Sequence, residues 1–264
     1  MQKQAWTYSL TGAALGAFAL LLRWLQREMI IDEAGLPRSG APISVILVLF
    51  LFAAAGALWI LAGRLGGDRS PEEPEDALAV RSPILTILLA LAGAAALGGS
   101  LMTVVQADSL LLRVSALAGV PAAAVLILYP SLPRWGGFGA GLSLIPVVFF
   151  SLWLIVAYKD NAVDPIVWNY GMLILAVSSS LFAVYRLCGY LYYRICSRRA
   201  VFGCALAVVL CLSVLMDDLP LGMRVLLAGW AVGFAALCWV LWSNILPEKG
   251  PAGAGIEKTA EITE

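Results

Sequence analysis

The sequence predicts an all-α fold: a polytopic transmembrane bundle of about eight membrane-spanning helices with short loops and no soluble domain. Three observations carry that prediction. Of the 264 residues, 61% are hydrophobic and 13% charged, against roughly 25% charged in soluble domains. Uncharged apolar runs close to the roughly 20 residues needed to cross a bilayer recur along the whole chain. The ten-residue alternation that marks an outer-membrane barrel is missing.

The first run, 6–22, follows five residues and is trailed by Arg23, Trp24 and Arg27 instead of a small-residue cleavage site, so it reads as a retained signal anchor. Trp24, Leu25, Met29 and Ile31 prolong it as an amphipathic extension over the outer mouth of the bundle, until Gly35 and Pro37 stop it. The second run is 43–63. The third, 83–105, opens at Ser82-Pro83, a capping oxygen before a proline suited to the first helical position. The fourth, 114–129, is short and contains Pro121. Leu110, Leu111 and Leu112 lengthen it to 110–129 if Arg113 snorkels to the interface, and Asp108 and Ser109 can cap it.

The fifth run, 140–158, contains Pro146, and the sixth, 165–190, opens at Asp164-Pro165. The seventh spans 200–216 and the eighth 221–242, with Asp217 and Asp218 as its caps. Trp6, Trp24, Trp135, Trp153, Trp168, Trp239 and Trp242, with Tyr129, Tyr158, Tyr190, Tyr192 and Tyr193, lie near run ends as an interfacial belt should. Small residues recur four apart at Gly12 and Gly16, Ala95 and Gly99, Ser115, Gly119 and Ala123, and Gly229 and Gly233, which lets helix backbones approach closely. There is no internal repeat. Pro121 and Pro146 do not correspond in a four-plus-four division, so nothing suggests a duplicated transporter.

Residues 1–242 are thus one transmembrane domain, with 64–82 an acidic cytoplasmic linker and 243–264 a disordered C-terminal tail. Ten Lys and Arg fall on the side shared by both termini and six on the other, Arg186 in the sixth helix making up the 17. The positive-inside rule then puts both termini in the cytoplasm, the membrane being the plasma membrane. Short tails and minimal loops suggest a prokaryotic source.

Several chemistries are excluded at this level. Lys+Arg and Asp+Glu are balanced at 17 each, which removes the field needed to attract nucleic acid. Histidine is absent, so there is no imidazole base, metal ligand or haem ligand. The five cysteines fall in or beside apolar stretches without a CxxC and read as small apolar side chains. No phosphate-binding loop, HExxH or GxSxG is present, no Asp, Glu or Lys interrupts the centre of an apolar run, and no cofactor is implied.

Three constellations remain. Asp32, Asp108, Asp160, Asp164, Asp217 and Asp218 give every outer connection an aspartate, and 158–170 gathers Asp160, Asn161, Asp164, Trp168 and Asn169 as candidate contacts for a cation or small solute, although aspartates at helix starts also serve as caps. Ser178, Ser179 and Ser180 sit midway through the sixth helix, where hydroxyls either line a polar path or bond to their own backbone. Arg186, Arg194, Arg198 and Arg199, interleaved with tyrosines, are candidate contacts for lipid headgroups. The first expectation for function is a permease or permease subunit for a small solute. The alternative is a non-catalytic assembly protein, with the lipid bilayer and another membrane protein as partners; an enzyme is not expected.

Overall fold

A computed structural model describes residues 2–30, 42–64, 71, 73–162 and 167–245, with only the backbone described for residues 2–6, 30 and 167–169. With no water in the hydrocarbon to bond peptide groups, an apolar chain satisfies them internally as helix, and every regular element among the described residues is helical. The elements are α1 (Gln2–Ile30), α2 (Pro42–Gly63), α3 (Pro74–Ala77), α4 (Pro83–Gln106), α5 (Leu110–Leu128), a 3-10 segment (Tyr129–Trp135), α6 (Gly136–Leu142), α7 (Leu144–Asn161), α8 (Val167–Leu191), α9 (Ser197–Val214) and α10 (Leu221–Ser243). Eight of these have 18 residues or more. They form seven unbroken apolar stretches, because helical turns continue through Leu110–Asn161 for 52 residues. That stretch folds back, with α5 packed against α7. The chain is an all-α, multi-pass membrane protein.

Six helices close a ring in the order α4, α5, α7, α8, α9, α10 and back to α4; α1 lies against α9 and α10, and α2 outside it against α1 and α9. Aromatic rings fill the middle. Phe150 meets Trp230 edge-on at 4.9 Å, Trp230 lies 5.4 Å from Phe234, and Phe149 and Trp153 complete the group. The tightest seam joins α4 to α10. A Cβ on Gly229 would stand 2.5 Å from the Ala96 nitrogen and one on Gly222 2.5 Å from the Thr103 nitrogen, while one on Gly99 would collide with the Leu226 backbone. Close approach maximises dispersion contact, the term that holds helices together in lipid. The Gly12 and Gly16 pair does the same for α1 against Ala205 and Leu212 of α9.

Several sequence expectations change in detail. The fifth helix is broken at Ser143, because Pro146 has no N–H to give the Leu142 carbonyl and its ring crowds that turn. Ser82 starts α4 without a side-chain cap, offering its carbonyl to Leu85 and Thr86. Asp217 and Asp218 do not cap α10. Instead the Gly222 amide donates to Gln106 Oε1 at 3.0 Å, so α4 caps α10 from outside. Ser109 does cap α5, accepting from the Leu112 amide at 3.1 Å; Asp164-Pro165 lies outside the described residues. Trp153, Tyr129 and Tyr190 are buried, whereas Trp24, Trp135, Tyr158, Tyr192 and Tyr193 are exposed.

The 64–82 connection is partly docked. Pro74, Ala77 and Leu78 are buried where α3 meets α8 and the 3-10 segment. Asn244, just past α10, donates through its amide to the Ala77 carbonyl at 3.0 Å and the Ala79 carbonyl at 2.9 Å. Docking orders Ala77, Leu78 and Ala79 while Glu73, Glu75 and Asp76 stay exposed.

Candidate functional site

The bundle has two polar ends. At the end where α1 finishes, Arg23 Nε donates to Asp217 Oδ1 at 2.7 Å and Arg23 NH1 to Gln26 Oε1 at 2.7 Å, and Gln26 Nε2 reaches Ser44 Oγ at 2.8 Å. Arg27 pairs with Asp218 and with the Met216 carbonyl. Arg23 is 5% exposed and Asp217 3%. Burial pushes the Asp217 carboxyl above the usual carboxylate range, against the opposing pull of Arg23 and Arg27. These contacts lock the extension of α1 to α2 and to the α9–α10 connection. Sequence reasoning grouped Asp217 and Asp218 with an acidic rim and missed Arg23 and Gln26. The available signal was the three- and four-residue spacing of Arg23, Gln26 and Arg27, which puts all three on one face of the helix.

The 158–170 constellation is only partly brought together. Asp160 is exposed and accepts from Ser109 Oγ at 3.4 Å; Asn161 turns back to the Ala157 carbonyl at 2.8 Å. Asp164 lies outside the described residues, and Trp168 and Asn169 are placed only as backbone at the start of α8. Among the described residues no three His, Cys, Asp or Glu converge as a metal site would require.

Midway along α8, Ser179 and Ser180 both donate to the Ala176 carbonyl, at 2.9 and 2.8 Å, and Ser180 Oγ stands 3.3 Å from Cys211 Sγ. Ser178 is half-buried. A serine bonded to its own helix has satisfied its hydroxyl locally and has lost most of its value to a passing solute. Elsewhere in the interior, Ser100 Oγ and Trp230 Nε1 are buried with no hydrogen-bond partner.

The other polar end carries the arginines. Arg194, Arg198 and Arg199 are exposed around the α8–α9 turn, while Arg186 is half-buried inside α8 with its Nε out of reach of any acceptor. The turn closes α8 with amides of Tyr193 and Arg194 donating back to Tyr190 and Gly189 carbonyls at 3.0 and 2.8 Å, and it holds Tyr193 at φ 56°, a left-handed conformation usually left to glycine. The Arg198 guanidinium carbon lies 4.3 Å from the centre of the Trp59 ring, a cation–π contact between α9 and α2. Higher on the same two helices, a lateral cleft of about 760 Å³ opens between α2 and α8 with α9 as its floor, lined by Val48, Phe52, Met172, Leu175, Leu206 and Leu210 among others.

No family model, no curated protein and no solved structure matches the chain. Its own geometry therefore carries the functional argument.

Proposed function

We propose that the chain is a non-catalytic membrane partner, a bundle of the plasma membrane with both termini inside that holds another membrane protein against α2. The observation that carries this reading is the contrast between a filled ring and an open flank. The ring is closed by aromatic side chains, its mid-membrane serines bond to their own backbone, and two of its rim aspartates are paired with arginine. By contrast α2 rests on the bundle through Leu47, Ala54, Leu58 and Ala62, leaving Leu49 62% and Phe52 74% exposed beside an apolar cleft. A second apolar helix fits such a flank, because helices associate in lipid by shape.

A permease for a small solute is the second reading. Its support is two of the buried unpartnered groups, Ser100 Oγ and Trp230 Nε1, which a polar solute would engage. Site-specific photo-crosslinking in the native host separates the two. Crosslinkers at Leu49 and Phe52 are expected to trap the same protein, and crosslinkers at Leu91 and Leu117 not to. The partner reading fails if α2 traps no protein and purified chain in liposomes moves a solute in a Ser100-dependent way.

A further inference from the structure

The geometry points to an anionic phospholipid bound at the seam between α2 and α9, its phosphate held by Arg198 with Arg64 and Arg199, and its acyl chain lying over Trp59 and Phe202 toward the lateral cleft. The site shares Phe52 and the cleft with the α2 flank but needs no protein partner, and its arginines lie outside that flank.

Arg198 is not a loose surface side chain. Its guanidinium is laid on the Trp59 ring at 4.3 Å and against the last turn of α2, where a Cβ on Gly63 would stand 3.0 Å from its NH2. Arg64 follows Gly63 directly and is exposed, as are Arg194 and Arg199. Among the described residues the only carboxylates within ion-pair distance of any arginine are Asp217 and Asp218, at the opposite end of the bundle. The acidic side chains described in the 64–82 connection, Glu73, Glu75 and Asp76, belong to the segment that packs at α8 and the 3-10 segment. Among the described residues the seam therefore concentrates positive charge without a protein counter-ion. It does so at the first turn of α9, where the helix dipole also favours an anion.

The apolar half of the site continues the same stripe. Trp59 meets Phe202 edge-on at 5.1 Å, and Val48, Phe52 and Ala55 on α2 and Leu206 and Leu210 on α9 carry it into the cleft. At 1.5 Å per residue, Leu206 lies about 12 Å up the helix from Arg198, within the roughly 15 Å depth of one leaflet's hydrocarbon. A lipid with its headgroup at Arg198 therefore has chain enough to reach and pass Leu206. A free phosphate would use the arginines alone and leave the aromatic pair and cleft without a role.

The test is native mass spectrometry of the full chain in detergent with added phosphatidylglycerol or phosphatidylcholine, alongside thermal midpoints with the same lipids and with inorganic phosphate. Wild type is expected to retain phosphatidylglycerol preferentially and to be stabilised by it alone. Arg198→Gln should lower that preference about fivefold, the equivalent of ~1 kcal/mol for one arginine at a membrane surface. Leu206→Trp, which fills the cleft, should weaken both lipids. Arg134→Gln removes an exposed charge of the same face away from the seam and should change neither. Should Arg198→Gln not fold, Arg199→Gln gives the same readout with an exposed side chain. Equal losses from Arg134→Gln and Arg198→Gln, or a phosphate effect equal to that of the lipid, would overturn the site.

Discussion

Arg23 of α1 and Asp217, 194 positions further along the chain, share a hydrogen-bonded ion pair at 2.7 Å from which water is almost wholly excluded. Desolvation outweighs attraction at the aspartate, since its carboxyl stays above the ordinary range despite two arginines. The pair joins the end of α1 to the α9–α10 connection at a cost in desolvation.

Removing the arginine strands a buried carboxylate. Arg23→Gln is expected to cost about 3–5 kcal/mol at neutral pH, read as a fall in thermal midpoint in detergent. Adding Asp217→Asn should recover most of it. In wild type the folded pKa is the higher one, so stability contributed by Asp217 is fully present below the ordinary value near 3.9 and declines as pH rises through the raised pKa. Asp217→Asn should flatten that part of the pH profile; an unchanged slope would assign it elsewhere.

Gly98 and Gly99 are neighbours with opposite surroundings. A Cβ on Gly98 meets nothing within 4 Å, whereas one on Gly99 runs into the α10 backbone at Leu226. Gly99→Ala should therefore destabilise by about 1–3 kcal/mol through overpacking, and Gly98→Ala should be neutral or gain up to ~1 kcal/mol in helix propensity. Paired thermal melts check the difference, and equal effects would refute the α4–α10 interlock.

Tyr193 sits at φ 56° where a glycine would be unstrained. Tyr193→Gly is expected to stabilise by ~1 kcal/mol. A loss of stability would show that the exposed ring anchors the turn at the interface strongly enough to outweigh the strain.

Asn244→Ala removes both amide contacts to Ala77 and Ala79. Faster cleavage within 71–80 under limited proteolysis, with the helices intact, is the expected outcome. Unchanged protection would mean that burial of Leu78 alone holds the segment.

Orientation is checked with Leu36→Cys and Ser70→Cys placed singly in a chain freed of its five cysteines. Labelling by an impermeant reagent is expected from outside at 36 and only after permeabilisation at 70. The reverse pattern would invert the topology.

The bundle itself was legible because a bilayer demands long apolar runs, and those runs can be read residue by residue. Pro146 and Ser109 acted as their chemistry suggests, one breaking a helix and the other capping one. The polar contacts between helices were not legible, since each joins segments far apart in sequence. Nothing local to Gln106 says that it caps a helix 116 positions away, and nothing local to Trp59 says that Arg198 will lie on it. Ser179 and Ser180 show the converse, where a local bond decides the matter and position in the membrane does not.

The α4–α10 seam also bears on how the protein is made. Helices enter the membrane in chain order, so α4 waits in lipid through the synthesis of α5 to α9 before the glycines of α10 arrive to fit it, and Asn244 fastens Ala77 only after that. A ribosome that stalls before α10 would thus leave the bundle unclosed, with its 71–80 segment lacking the Asn244 bonds. Membrane quality control would meet that state as a more protease-sensitive segment beside an ungripped helix.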